Sequence, residues 1–227
     1  MPNALDLFRR ALSICLANPL PMWTLGAFAI IPQGLANVGN PPLVAQLASI
    51  ALTEIVFAAT VGASAKAVSG ETPDAFESLR IVRDRIGALL ELIARQFGAM
   101  LLLAITIVGI PFAIRILVRW FFGTQGVVLR GLDAKGAISL SCRLASGRWW
   151  QLGLLVLTIP LFLAAPSILA LVFLGRVGSL AVSIPLTFAL APPLGCFWTL
   201  LFLDLEERTG ASQIAALSVS ETPRPFT

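Results

Sequence analysis

The sequence predicts an all-α fold: a polytopic bundle of six transmembrane helices with an N-terminal interfacial helix and two cytoplasmic amphipathic helices. Three observations carry that expectation. Of 227 residues, 57% are hydrophobic and 12% charged, about half the charged share of roughly 25% found in soluble domains, and mean hydropathy is +0.89. The apolar residues come in runs long enough to cross a bilayer, about 20 residues for a hydrocarbon core of roughly 30 Å. The cations gather between alternate runs, as the positive-inside rule requires.

Taken in order, residues 3–16 place Leu5, Phe8, Leu12, Cys15 and Leu16 on one helical face with Asp6, Arg10 and Ser13 opposite. That pattern suits a helix lying among headgroups, or equally a cytoplasmic extension of the first span. Arg9 and Arg10 precede an apolar stretch, yet Pro19 and Pro21 interrupt it, and no small-residue cleavage site precedes Cys15. The segment is therefore expected to be retained rather than removed as a signal peptide.

The first span is expected over 21–36 and, after an uncharged turn at 37–42, the second over 43–68. A polar stretch follows. Thr72 reads as an N-cap with Pro73 at the first helical position, and Asp74 and Glu77 suit the positive end of the dipole. The stripe Phe76, Leu79, Val82, Ile86 and Leu89 lets that helix run or bend into the third span, 86–108. Gly109, Ile110 and Pro111 read as a turn before the fourth span, 112–129. Asp133 is the expected N-cap of a short amphipathic helix bearing Ala137, Ile138, Leu140 and Leu144 on its apolar side. Trp149 and Trp150 are expected interface anchors opening the fifth span, 149–174, and the sixth covers 179–203. Residues 1–210 read as one membrane domain and 211–227 as a cytoplasmic tail.

Topology follows from the Lys and Arg count. Twelve of these cations fall at the two ends or in the even-numbered loops, whereas Arg176 stands alone on the other side. Both termini are thus expected in the cytoplasm of a bacterial inner membrane. The net charge of +4 and pI near 9.6 then point to anionic lipid headgroups at the cytoplasmic face, not to nucleic acid. Cys15, Cys142 and Cys196 are odd in number and lack CxxC spacing, so ordinary apolar packing is expected of each.

With no histidine in the chain, the commonest general base and metal ligand is missing. No nucleophile elbow, Walker loop or glycine-rich phosphate cradle stands in for it, so neither catalysis nor a cofactor is expected. The informative residues are ionisable groups inside the expected spans: Glu54, Glu91, Arg95, Arg115, Arg119 and Asp204. A charge at the bilayer centre costs at least about 2.5 to 3.5 kcal/mol, so such groups face the bundle interior and find partners. The expectation is an interior ion-pair cluster of Glu54 with Arg95 or Arg119, joined by Glu91 to Arg95 one turn apart. It reads either as a clasp fixing helix order or, with three arginines against fewer acids, as a polar path or a small anionic-ligand site. Pro160, Pro166, Pro185, Pro192 and Pro193 are expected to kink or break the last two spans. Ala58, Ala59, Gly62 and Ala63 form a small-residue stripe for close approach of an internal helix or of another chain.

Several short pieces follow one another in a characteristic order and spacing: Gly109 to Pro111 before Arg119 and Trp120; Val127, Val128 and Leu129; Ala137, Ser141, Leu144, Gly147, Trp149 and Trp150; then Leu201 to Leu205 with Asp204, and Arg208. On them, residues 74–210 resemble the six-span membrane domain found with some bacterial glycerophosphoryl diester phosphodiesterases and in related uncharacterised integral membrane proteins. Gly-Ile-Pro stands where that family often has Pro-Gly, and Leu203 where it has an aromatic residue. The soluble catalytic domain, with its histidines and metal-binding acids, has no counterpart here. The resemblance thus implies a six-helix membrane domain and not phosphodiester hydrolysis. Two functions are expected in turn: a non-catalytic accessory or structural subunit acting through other membrane subunits or lipids, and a permease subunit of a transporter with a separate ATPase. Lipid-modifying chemistry at Glu54 or Asp204 is a third.

Overall fold

The computed structural model describes residues 4–37, 42–105 and 109–210. Over these the chain is all-helical, with five helices long and apolar enough to cross a membrane, or six if the bent N-terminal pair counts as one. Most of the expected turn at 37–42, the end of the expected third span and the C-terminal tail lie outside the described residues.

Helix α1 (Ala4–Ala17) meets the following helical run at 102°. That run is α2 (Pro19–Phe28) and α3 (Ile30–Asn37), which starts at Pro19 rather than at 21 and is interrupted at Ala29. Pro19 occupies the first helical position, where a missing N–H costs nothing and φ is already set. Helix α1 lies against the C-terminal part of the chain: Phe8 meets Phe197 at 6.4 Å between ring centroids, and the Sγ atoms of Cys15 and Cys196 are 3.3 Å apart. Both thiols are fully buried, and Ser64 Oγ lies 3.1 Å from Cys196 Sγ.

Helix α4 (Leu43–Val68) is the hub, touching the helices on either side of it in sequence and those near both chain ends. Its Ala58, Ala59, Gly62 and Ala63 are all buried within this one chain, and Gly62 faces Val128 and Ser78. The small-residue stripe therefore serves an internal partner.

Helix α5 (Ala75–Asp84) starts later than expected. Asp74, not Thr72, is the N-cap, because its backbone is extended and its carboxylate accepts the Phe76 N–H at 2.9 Å. A break at Arg85 separates α5 from α6 (Ile86–Ala104), so the chain bends there instead of running on. The fourth span is two helices, α7 (Gly109–Trp120) and α8 (Gly123–Arg130). Gly109 to Pro111, expected as a turn, form the first turn of α7. Helix α9 (Ala134–Ala145) is capped by Asp133 as expected, its Oδ1 accepting the Gly136 N–H at 2.9 Å.

The stretch Trp149–Thr209 is helical except at Gly175 (φ 72°, ψ −167°), a conformation open in practice to glycine alone. It is therefore two helices, α10 (Trp149–Gly175) and α11 (Val177–Thr209). None of the five prolines within them breaks its helix. Little of the apolar stretch of α10 is buried, whereas more than half of that of α11 is. One packs inside the bundle and the other presents Leu161, Phe162, Val172 and Phe173 outward, as a helix bathed in hydrocarbon does.

Candidate functional site at the interrupted helix

A helix broken inside a membrane leaves backbone groups that water cannot satisfy, so neighbours must supply the partners. At the α7–α8 break they come from two helices. Ser141 of α9 donates its hydroxyl to the Arg119 carbonyl at 2.6 Å and accepts the Phe122 N–H at 3.0 Å. Gln96 of α6 donates Nε2 to the Trp120 carbonyl at 3.0 Å. Phe121 and Phe122 seal the inner side: Phe121 stands edge-on to Trp198 at 4.6 Å and Phe122 meets Phe202 at 5.9 Å. One hydroxyl thus serves two orphaned backbone groups. Ser141→Ala is expected to lower stability by about 1–3 kcal/mol by stranding both, read as an earlier midpoint in an SDS titration of the purified protein. Ser141→Val, which also lacks the hydroxyl and is larger at a fully buried position, should do no better.

Beside the break lies a cavity of about 200 Å³ between α4, α6 and α7. Glu54, midway along α4, contributes the carboxyl group and accepts the Thr124 hydroxyl at 3.3 Å. Trp120 and Phe121 line the cavity from the interrupted span, Gln96 lines it from α6, and Phe97 stands at its mouth, 40% exposed.

The expected cluster of Glu54 with Arg95 or Arg119 does not form. Arg95 turns one turn back along its own helix and closes on Glu91 at 2.6 Å, on a half-exposed face. Arg119 faces outward because α7 buries Val118 and so directs the Arg115–Arg119 side away from the bundle. Arg115 places its guanidinium 5.9 Å from the Trp149 ring centroid, a cation–π arrangement. Trp149 and Trp150 are 40% and 63% exposed, their rings edge-on at 5.4 Å. Asp204 pairs with Arg208 at 2.7 Å, one turn on.

Other ionic contacts gather at one end of the bundle. Arg130 holds Glu206 through two hydrogen bonds of 2.8 and 2.5 Å, and the Glu206 side chain is 2% exposed. Lys66 and Glu77 pair at 2.5 Å, tying α4 to α5. Arg85 donates Nη1 to the carbonyls of Val127 and Val128 at 2.6 Å each, placing a cation on the C-terminal end of α8. Sequence reasoning gave no role to Gln96, Thr124 or Glu206, and named Ser141 only as part of the family resemblance. The glycines flanking α8 were the available signal for the break, and the adjacent acids of Glu206 and Glu207 the signal for a second partner to the basic end.

Among the described residues no three His, Cys, Asp or Glu side chains gather to hold a metal ion. Compared with family models, curated proteins and solved structures, the chain matches none. The geometry alone therefore carries the functional argument.

Proposed function

We propose that this chain is a non-catalytic, six-span protein of the bacterial cytoplasmic membrane, with both termini in the cytoplasm, that acts through protein partners or anionic lipids as an accessory subunit of a membrane complex. The observation that carries the reading is the outward face of α5. That helix buries Ala75, Ser78 and Val82 against the bundle, while Phe76 stands 72% exposed, one and two turns before the exposed Arg80 and Arg83 on the same face. An exposed aromatic ring followed by two guanidinium groups on one helix face suits phosphate headgroups or an acidic partner surface. Arg83 lies 3.6 Å from Asp84 on the exposed side of its own helix, whereas Lys66, Arg85, Arg130 and Arg208 are tied more closely to groups of the bundle. The sharp bend after α1 supports its lying along the interface, and the resemblance to the six-span membrane domain fits this layout without bringing catalysis with it.

Purification in a maltoside detergent, followed by identification of bound proteins and lipids, tests the reading. A stoichiometric membrane subunit or retained phosphatidylglycerol is expected with the native chain. It should be lost from a Phe76→Ser, Arg80→Glu, Arg83→Glu variant that elutes as before. Identical recovery from both proteins would sink the proposal.

The interrupted α7–α8 span beside a cavity favours the second reading, a permease subunit, since broken helices and midplane cavities go together in transporters. Copurification of an ATPase would select it.

A further inference from the structure

We infer that the cavity beside the α7–α8 break is a binding site for an alkylammonium group, with Glu54 as its counter-charge. Four features of the site point to that chemistry. The first is charge: the cavity contains one carboxyl group and, among the described residues, Glu54 forms no ion pair. Both arginines within reach of its depth are engaged or directed elsewhere, Arg95 on Glu91 and Arg119 on the outer side of α7.

The second is the wall. Trp120 and Phe121 stand on one side and Phe57 and Phe97 on the others, and aromatic rings attract an organic cation through their π faces while offering nothing to an anion. The third is hydrogen bonding. Thr124 already directs its hydroxyl to Glu54 and Gln96 has its N–H₂ on the Trp120 carbonyl, so the carboxylate retains lone pairs for N–H donors of a ligand. The fourth is size and placement. About 200 Å³ exceeds the roughly 150 Å³ that accommodates benzene in an engineered apolar cavity. It holds an amine head and the first carbons of its chain. The rest leaves past Phe97, which is partly exposed on the outside of α6, toward hydrocarbon.

The shared chemistry, a primary ammonium on a saturated carbon, occurs in free amphiphilic amines, where an apolar chain follows, and in the ethanolamine headgroup of a lipid, where two carbons lead to the phosphate. The site is separate from the α5 face, so its failure would leave the copurification result untouched.

The full chain in maltoside micelles is titrated with n-octylamine, which is an ammonium ion at pH 7, and with n-octanol, its neutral counterpart. Tryptophan emission gives the readout through Trp120 in the cavity wall. Octylammonium is expected to bind at least about tenfold tighter than octanol, and Glu54→Gln to remove that preference while octanol binding stays. Met100→Trp, which fills the lining from α6, should weaken both. Added dioleoylphosphatidylethanolamine, against the same amount of dioleoylglycerol, assigns the source. Competition by the former identifies a lipid headgroup, and its absence a free amine. Equal affinity of the native chain for octylamine and octanol would overturn the inference, whether or not the variants fold. So would a Glu54→Gln variant that keeps the preference.

Discussion

Gly195→Val is expected to abolish recovery of folded protein, and Gly195→Ala to destabilise it by about 1–3 kcal/mol, the usual cost of forcing extra carbon into a packed interior. A Cβ built on Gly195 would collide with Thr60 Cγ2, where α11 crosses α4. Thr60 cannot swing aside freely, because its hydroxyl is bonded to the Val56 carbonyl at 2.9 Å and the residue is buried. If the collision is the cause, Thr60→Ala should restore much of the loss in the double variant, a coupling that distant sites do not show. Additive losses in SDS or thermal unfolding would place the cause elsewhere.

The second large effect is expected about three turns further along α11. Arg130→Met leaves the Glu206 carboxylate, 2% exposed, without its bidentate partner. Breaking a fully buried pair costs about 3–5 kcal/mol, and because the Arg130 side chain is 39% exposed a smaller loss of about 2–3 kcal/mol is expected. Glu206→Leu combined with Arg130→Met should be milder than Arg130→Met alone, since no charge is then stranded. A double variant less stable than either single one would contradict this account of the pair.

Much of the bundle was legible because its signals are local. Twenty-odd apolar residues between charged segments mark α4, α10 and α11, and the Asp133 cap declares itself by an acid three residues before Gly136. Thr72 failed as a cap because several cap-competent residues stand together and the backbone angle at Asp74, invisible in sequence, selects among them. The break in the fourth span was hidden because hydropathy runs through it unbroken. Its partners, Ser141 and Gln96, stand on other helices about 20 residues away in either direction. The Glu54 cluster was misread for a related reason. Depth along a helix is readable from sequence, but the rotation that points Arg119 outward depends on which face of α7 finds the bundle, and Val118 and Phe122 decide that. The proximity of Cys15 to Cys196, 181 positions apart, is likewise a product of packing.

The central claim is that the N-terminal segment crosses the membrane as a sixth span, with α1 lying outside it. The bent pair Ala4–Ala17 and Pro19–Gly34 decides between five and six crossings. Topology reporters fused separately to the two ends of the chain, one active only in the cytoplasm and one only outside it, measure this directly. The account predicts that both ends report the cytoplasm, and ends on opposite faces of the membrane would contradict it.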